Sequence, residues 1–178
     1  MKSLLALSAM LVANLTVTSC SEPGPAGTAK QRNVPAALPR TVGCDQVIQQ
    51  VGPPGGRLVL GVLAAPPSHL EHAATTGALP WPYFAKYGIA IRAGSPAVLI
   101  TVPDSSRRRA AIGWGNDARG VSSLRIASCP RQLGAWNAYA GGFYLLSPSD
   151  CVPLVFTIGR QTATLSVAIG RATCGSAR

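Results

Sequence analysis

The sequence predicts an all-β fold, an antiparallel β-sandwich of about seven or eight strands closed by two disulfides. Three observations carry that expectation. Short apolar runs alternate with small or polar residues at period two, turn residues punctuate the chain every eight to twelve positions, and no segment shows a sustained helical stripe.

The elements follow in order from Thr41. Cys44 to Val51 is the best helical candidate, one or two turns with Asp45 near its start. Leu58 to Leu63 is an apolar run bounded by Gly55-Gly56 and Pro66-Pro67. Tyr87, Ile89 and Ile91 alternate with Gly88, Ala90 and Arg92; Val98, Ile100 and Val102 alternate with Leu99 and Thr101 and stop at Pro103. Ala110 to Trp114 is ended by Gly115-Asn116-Asp117, and Leu124 and Ile126 alternate with Ser123 and Arg125. Tyr139 to Leu146 reads as one strand, followed by Val152, Leu154, Phe156 and Ile158. The last strand is the clearest, with Ala163, Leu165, Val167 and Ile169 against Thr162, Thr164, Ser166 and Ala168. Gly159-Arg160-Gln161 between the final two strands suits a tight hairpin.

The N-terminus carries a different signal. Lys2 precedes an uncharged apolar stretch, Leu4 to Val17, which is short for a permanent bilayer span and contains Ser and Asn. It closes on Val17-Thr18-Ser19-Cys20, which resembles the lipobox of bacterial lipoproteins. The resemblance implies cleavage before Cys20, lipidation of Cys20, and a chain held on the extracytoplasmic face of the cell membrane. Residues 1–19 are then a lipoprotein signal peptide. Residues 20–40 hold the lipidated cysteine and a Pro/Gly/Ala tether, with a reach of about 25 Å. Residues 41–178 form a single domain.

With Cys20 set aside, Cys44, Cys129, Cys151 and Cys174 are an even number in an exported chain, and disulfides are expected. None has metal-type C-x-x-C spacing. A hairpin of the last two strands brings Cys151 and Cys174 to one edge. That favours Cys151–Cys174 with Cys44–Cys129, the alternative joining Cys129 to Cys151.

The chain carries 16 Lys plus Arg against 6 Asp plus Glu, and loss of Lys2 with the signal leaves 15 against 6. Such a balance favours anionic neighbours: lipid headgroups, wall polymers or acidic glycans, with no role for nucleic acid outside the cell. The segments Ala111-Ile-Gly-Trp-Gly115, Trp136-x-x-Tyr-Ala-Gly-Gly-Phe143 and Cys151-Val-Pro-Leu154 resemble an uncharacterised family of secreted proteins of high-GC bacteria. That resemblance implies a shared fold and export, and brings no activity.

Candidate sites are few. Arg107-Arg108-Arg109 is the densest charge, and three guanidinium groups on one loop suit bidentate binding of phosphate or carboxylate, unless one turns back to Asp104. His69 and His72 could share a metal with Glu71 or a distant Asp, although His-x-x-His with a central Glu departs from the H-E-x-x-H spacing. Aromatics gather at Trp81-Pro82-Tyr83-Phe84 and from Trp136 to Tyr144; Tyr139 and Phe143 have core spacing, Tyr144 faces the other way, and Trp81 is the one most expected at the surface. There is no G-x-S-x-G elbow, and the carboxylates are thinly spread. No cofactor is called for. The expectation is a non-catalytic, membrane-anchored, extracytoplasmic binding module for an envelope protein or an anionic surface polymer. The alternatives are a metal-dependent enzyme centred on His69 and His72, and an inhibitor-type lipoprotein.

Overall fold

Residues 38–51, 57–65, 67–131 and 134–175 are described by a computed structural model, within a unit spanning Ala37–Arg178. The export signal, Cys20 and residues 20–37 of the tether lie outside the described residues. Among the described residues no helix is long and apolar enough to cross a membrane.

The domain is all-β. Its strands are β1 (Arg40–Val42), β2 (Gln49–Val51), β3 (Leu58–Val59), β4 (Leu63–Ala64), β5 (His69–Leu70), β6 (Ala74–Thr75), β7 (Tyr83–Lys86), β8 (Ile89–Arg92), β9 (Val98–Thr101), β10 (Ala110–Trp114), β11 (Ser123–Ile126), β12 (Trp136–Tyr139), β13 (Gly141–Leu145), β14 (Asp150–Ile158) and β15 (Gln161–Ile169). Fifteen strands among the described residues replace the seven or eight expected, because several expected strands divide and several two-residue edge strands carry no pattern of their own. The helical candidate reduces to a 3-10 turn, Cys44–Gln46, before the chain extends into β2.

Three sheets result. The first has the order β1-β11-β9-β14-β15-β5, the second β10-β13-β7-β6, and the third β2-β12-β8-β4-β3. Pairing is antiparallel except at the two edges of the first sheet, where β1 runs parallel to β11 and β5 parallel to β15. The expectation of a purely antiparallel fold is corrected there.

The second and third sheets are halves of one ladder. Tyr83 lies opposite Leu145, and the register continues to Arg92 opposite Trp136. It is interrupted at Tyr87–Gly88 across from Ala140–Gly141, where the Tyr87 N–H still donates to the Gly141 carbonyl at 2.8 Å. The strands pass from one sheet into the next at that point. A Cβ on Gly141 would lie 2.1 Å from the Gly113 carbonyl oxygen and 2.6 Å from Trp114, so the crossing admits only glycine.

One hydrophobic core takes residues from all three sheets: Ile100, Leu124, Leu154 and Val167 from the first, Ile112, Trp114 and Phe143 from the second, Leu63, Ile91 and Tyr139 from the third. In β14 every second residue from Asp150 to Ile158 is buried. Each such apolar side chain contributes about 1.5–3 kcal/mol on burial. Trp114 meets Phe143 edge-on, 5.9 Å between ring centroids, and its indole N–H donates to the Tyr87 carbonyl at 2.8 Å. Two turns depend on unusual backbone. Gly159 takes positive φ in the two-residue β14–β15 hairpin, and Leu60 and Gly61 both do so between β3 and β4, the type I′ requirement. The run from Leu58 to Leu63, expected as one strand, therefore folds back on itself.

Disulfides join Cys44 to Cys129 and Cys151 to Cys174. Both accord with an oxidising, extracytoplasmic compartment.

Candidate functional site

The arginine triplet sits on the turn between β9 and β10. Pro103 accepts the N–H groups of Ser106 and Arg107, and Ser106 accepts those of Arg109 and Ala110. This winding sends the three guanidinium groups in different directions. Arg107 pairs with exposed Asp104 at 3.2 Å. Arg109 turns to the Asp150 carboxylate at 2.6 Å and to the Ser106 hydroxyl at 3.1 Å. Arg108 is exposed and makes no ion pair among the described residues. The triplet is thus one outward cation and two cations already engaged.

The β13–β14 connection runs beside that turn, and Gly170, the neighbour of a further arginine, lies against it. The Leu146 N–H donates to the Arg109 carbonyl, and a Cβ on Gly170 would lie 2.5 Å from the Pro148 carbonyl oxygen on the same β13–β14 connection. Arg171, next in the chain, is exposed there. No periodicity marks it; only the return of β15 beside that connection brings it near.

The histidines lie on and just beyond β5, the edge strand beside β15. His69 pairs across from Ala168 on β15, and the Gly170 N–H donates to the Leu70 carbonyl. Both His69 and His72 are exposed. Among the described residues no three His, Cys, Asp or Glu side chains come close enough to hold a metal, so the pair gains no third ligand.

His72 instead borders an open pocket of about 500 Å³, lined by Leu70, Glu71, His72, Ala74, Phe84 and Lys86. Its wall is built by the β6–β7 pairing, which sets Ala74 opposite Phe84. Lys86 and the pocket itself were missed by sequence reasoning. The only available signal was that Phe84 and Lys86, two apart on a strand, share a face.

Around it, the aromatics divide by face. Tyr139 and Phe143 are buried in the main core and Trp136 in a separate cluster with Ala64 and Ala90, whereas Trp81, Phe84 and Tyr144 are half-buried. The outer three lie on glycines. A Cβ on Gly120 would be 2.7 Å from Trp81 Nε1, one on Gly113 2.9 Å from Tyr144 Cε2, and one on Gly142 3.0 Å from Phe84 Cζ. Phe84 and Tyr144 sit 4.9 Å apart at 55°. The Tyr144 hydroxyl donates to the Ala118 carbonyl, and Arg40 donates to the carbonyls of Trp114 and Asp117. Burial raises the Tyr144 pKa, opposed by the charge of Arg40.

A smaller pocket of about 210 Å³, bordered by Ile48, Ala65, Tyr87, Ile89 and Tyr139, lies where the shared ladder is interrupted. Burial lifts the Tyr87 and Tyr139 phenols to about 12.

No protein-family model, no curated protein and no solved structure matches the chain.

Proposed function

We propose that the chain is a non-catalytic binding module of the cell envelope: a β-sandwich domain held on the extracytoplasmic face of the membrane by lipid on Cys20, which engages an anionic surface polymer through exposed arginines. One observation carries the reading. Arg57, Arg108, Arg119, Arg125, Arg160 and Arg171 are all exposed, and none makes an ion pair among the described residues. Cations left without acidic partners inside the domain are available to phosphate or carboxylate groups outside it, and their summed field speeds encounter with a polyanion. Arginine suits that role, since its planar fork binds such groups bidentately.

Arg108 and Arg171 are the two of these arginines to test. The probe is a glycerol-phosphate polymer immobilised on beads, titrated with the intact lipidated protein in detergent. Binding weakens several-fold between about 50 and 300 mM salt, as the Debye length shortens from about 14 to about 6 Å. Arg108→Ala combined with Arg171→Ala weakens it further at low salt. Retention that responds to neither salt nor the double substitution rejects the reading. The anchor has its own test: Cys20→Ser releases the protein from membranes or leaves it unprocessed, and normal processing with normal retention rejects lipidation.

A further inference from the structure

We propose that the pocket bordered by Glu71, His72, Phe84 and Lys86 binds a neutral pyranose unit of a saccharide. The inference is independent of the arginine surface.

The chemistry of the lining selects the ligand class. Glu71 offers only acceptors, Lys86 only donors, and His72 can supply either. A small anion placed there would face the carboxylate of Glu71, and a small cation would face the ammonium of Lys86. A neutral polyol carries both donors and acceptors on every hydroxyl and satisfies the whole set without an unpaired charge. Leu70, Ala74 and Phe84 supply the apolar part of the wall, against which the C–H face of a sugar ring packs. At about 500 Å³ the pocket lies in the range of small-molecule sites and has room for one or two rings.

The surrounding framework makes Phe84 the stacking residue. All three outer aromatics cover glycines, and of the three Phe84 borders the cavity. Its ring packs on that of Tyr144, 4.9 Å between centroids. Lys86, two residues on in β7, is exposed, and its cross-strand neighbour is Gly142, so no side chain from β13 crowds it on that side. Glu71 and His72 come from the connection between β5 and β6, whose position is held by the parallel pairing of β5 with β15.

The experiment is saturation-transfer NMR on the full-length protein in detergent, with neutral trisaccharides built from glucose, galactose, mannose and N-acetylglucosamine, followed by affinity titration of any that bind. At least one binds in the millimolar range or tighter, with saturation transferred to ring C–H protons, and its affinity is unchanged between 50 and 500 mM NaCl. Phe84→Ala lowers that affinity about three- to tenfold, the value of one aromatic contact. Lys86→Ala, at an exposed position of β7, lowers it also, while Arg108→Ala leaves it unaltered. Silence from all the neutral sugars at 10 mM overturns the proposal. So does binding confined to a charged fragment such as a heparin disaccharide, or binding that survives both Phe84→Ala and Lys86→Ala.

Discussion

Arg109 holds the carboxylate of Asp150 at 2.6 Å, across 41 residues of sequence. Asp150 opens β14, its side chain is only 9% exposed, and the same oxygen accepts the Cys151 N–H at 2.7 Å. The pair therefore pins the arginine turn to the strand that carries the Cys151–Cys174 disulfide. Two residues earlier in the triplet, Arg107 meets an Asp104 whose side chain is 84% exposed. The two pairs differ in what their loss leaves behind. Without Arg109 a nearly buried carboxylate loses its charged partner, whereas without Arg107 water takes over.

Arg109→Ala accordingly destabilises the domain by about 1–3 kcal/mol in urea denaturation. Arg107→Ala changes it by less than about 0.5 kcal/mol. Equal effects from the two would contradict this division of labour. A triple alanine substitution across residues 107–109 is a poor binding test for the same reason, since it mixes loss of a surface cation with loss of a structural pair.

The two disulfides are unequal in a way set by chain length. Cys44–Cys129 closes a loop of 85 residues and Cys151–Cys174 one of 23. The entropy each removes from the unfolded chain scales with the logarithm of loop size, giving roughly 4–5 kcal/mol for the longer and roughly 3–4 for the shorter. Replacing the pair Cys44 and Cys129 by alanine therefore lowers the denaturation midpoint more than replacing Cys151 and Cys174. Burial adds to the difference, since Cys129 is buried and the Tyr139 hydroxyl donates to its sulfur. The reverse ranking would show that the covalent tie on the hairpin matters more than the chain it closes.

What could be read from the sequence was whatever one strand announces by itself. Alternation in 150–158 and 161–169 locates the last hairpin, and once that hairpin is in place Cys151 and Cys174 fall at one edge. The division at Leu60 was not readable, because positive φ there is imposed on a leucine, a residue that gives no turn signal. At Ala140–Gly141 the pair Gly141-Gly142 marks an irregular point in the strand, but nothing in the sequence says that the strand changes sheet there. The same limit applies to the sites. Arg109 and Asp150, or His72 and Lys86, are brought together only by strand pairing between distant segments, and neither spacing nor composition records that pairing. Cys20 and the lipobox stand apart, being legible from sequence alone and lying outside the described residues.

The glycines under the outer aromatics give a graded prediction. At Gly142 a Cβ would sit 2.1 Å from the backbone carbonyl of Ala85, an atom the sheet cannot move. At Gly120 the obstruction is the side chain of Trp81, which can swing away. Gly142→Ala therefore costs about 1–3 kcal/mol or prevents folding. Gly120→Ala costs less than about 1 kcal/mol and red-shifts tryptophan emission as Trp81 lifts into solvent; Trp114 and Trp136, both buried, are unaffected. A Gly120→Ala protein with unaltered emission would mean that Trp81 does not lie on that glycine in solution.

Alkaline pH tests the interruption of the shared ladder. Tyr87 and Tyr139 flank it, and burial raises both phenols from 10.0 to about 12. Because the neutral phenol is favoured in the folded state, the folded protein binds more protons than the unfolded chain between those values. The stabilisation is fully present below pH 10 and is lost as pH rises through about 12. Denaturation midpoints should fall across that window, and tyrosinate absorbance at 295 nm should rise late, Tyr87 and Tyr139 shifted to about 12 and Tyr144 shifted in the same direction. Tyr139→Phe removes its share of the pH slope but also the hydrogen bond to Cys129, so its midpoint drops at neutral pH while its alkaline slope flattens. If all four phenols titrate together near pH 10 in the folded protein, Tyr87 and Tyr139 are not shielded where the ladder is interrupted, and the packing described for that crossing is wrong.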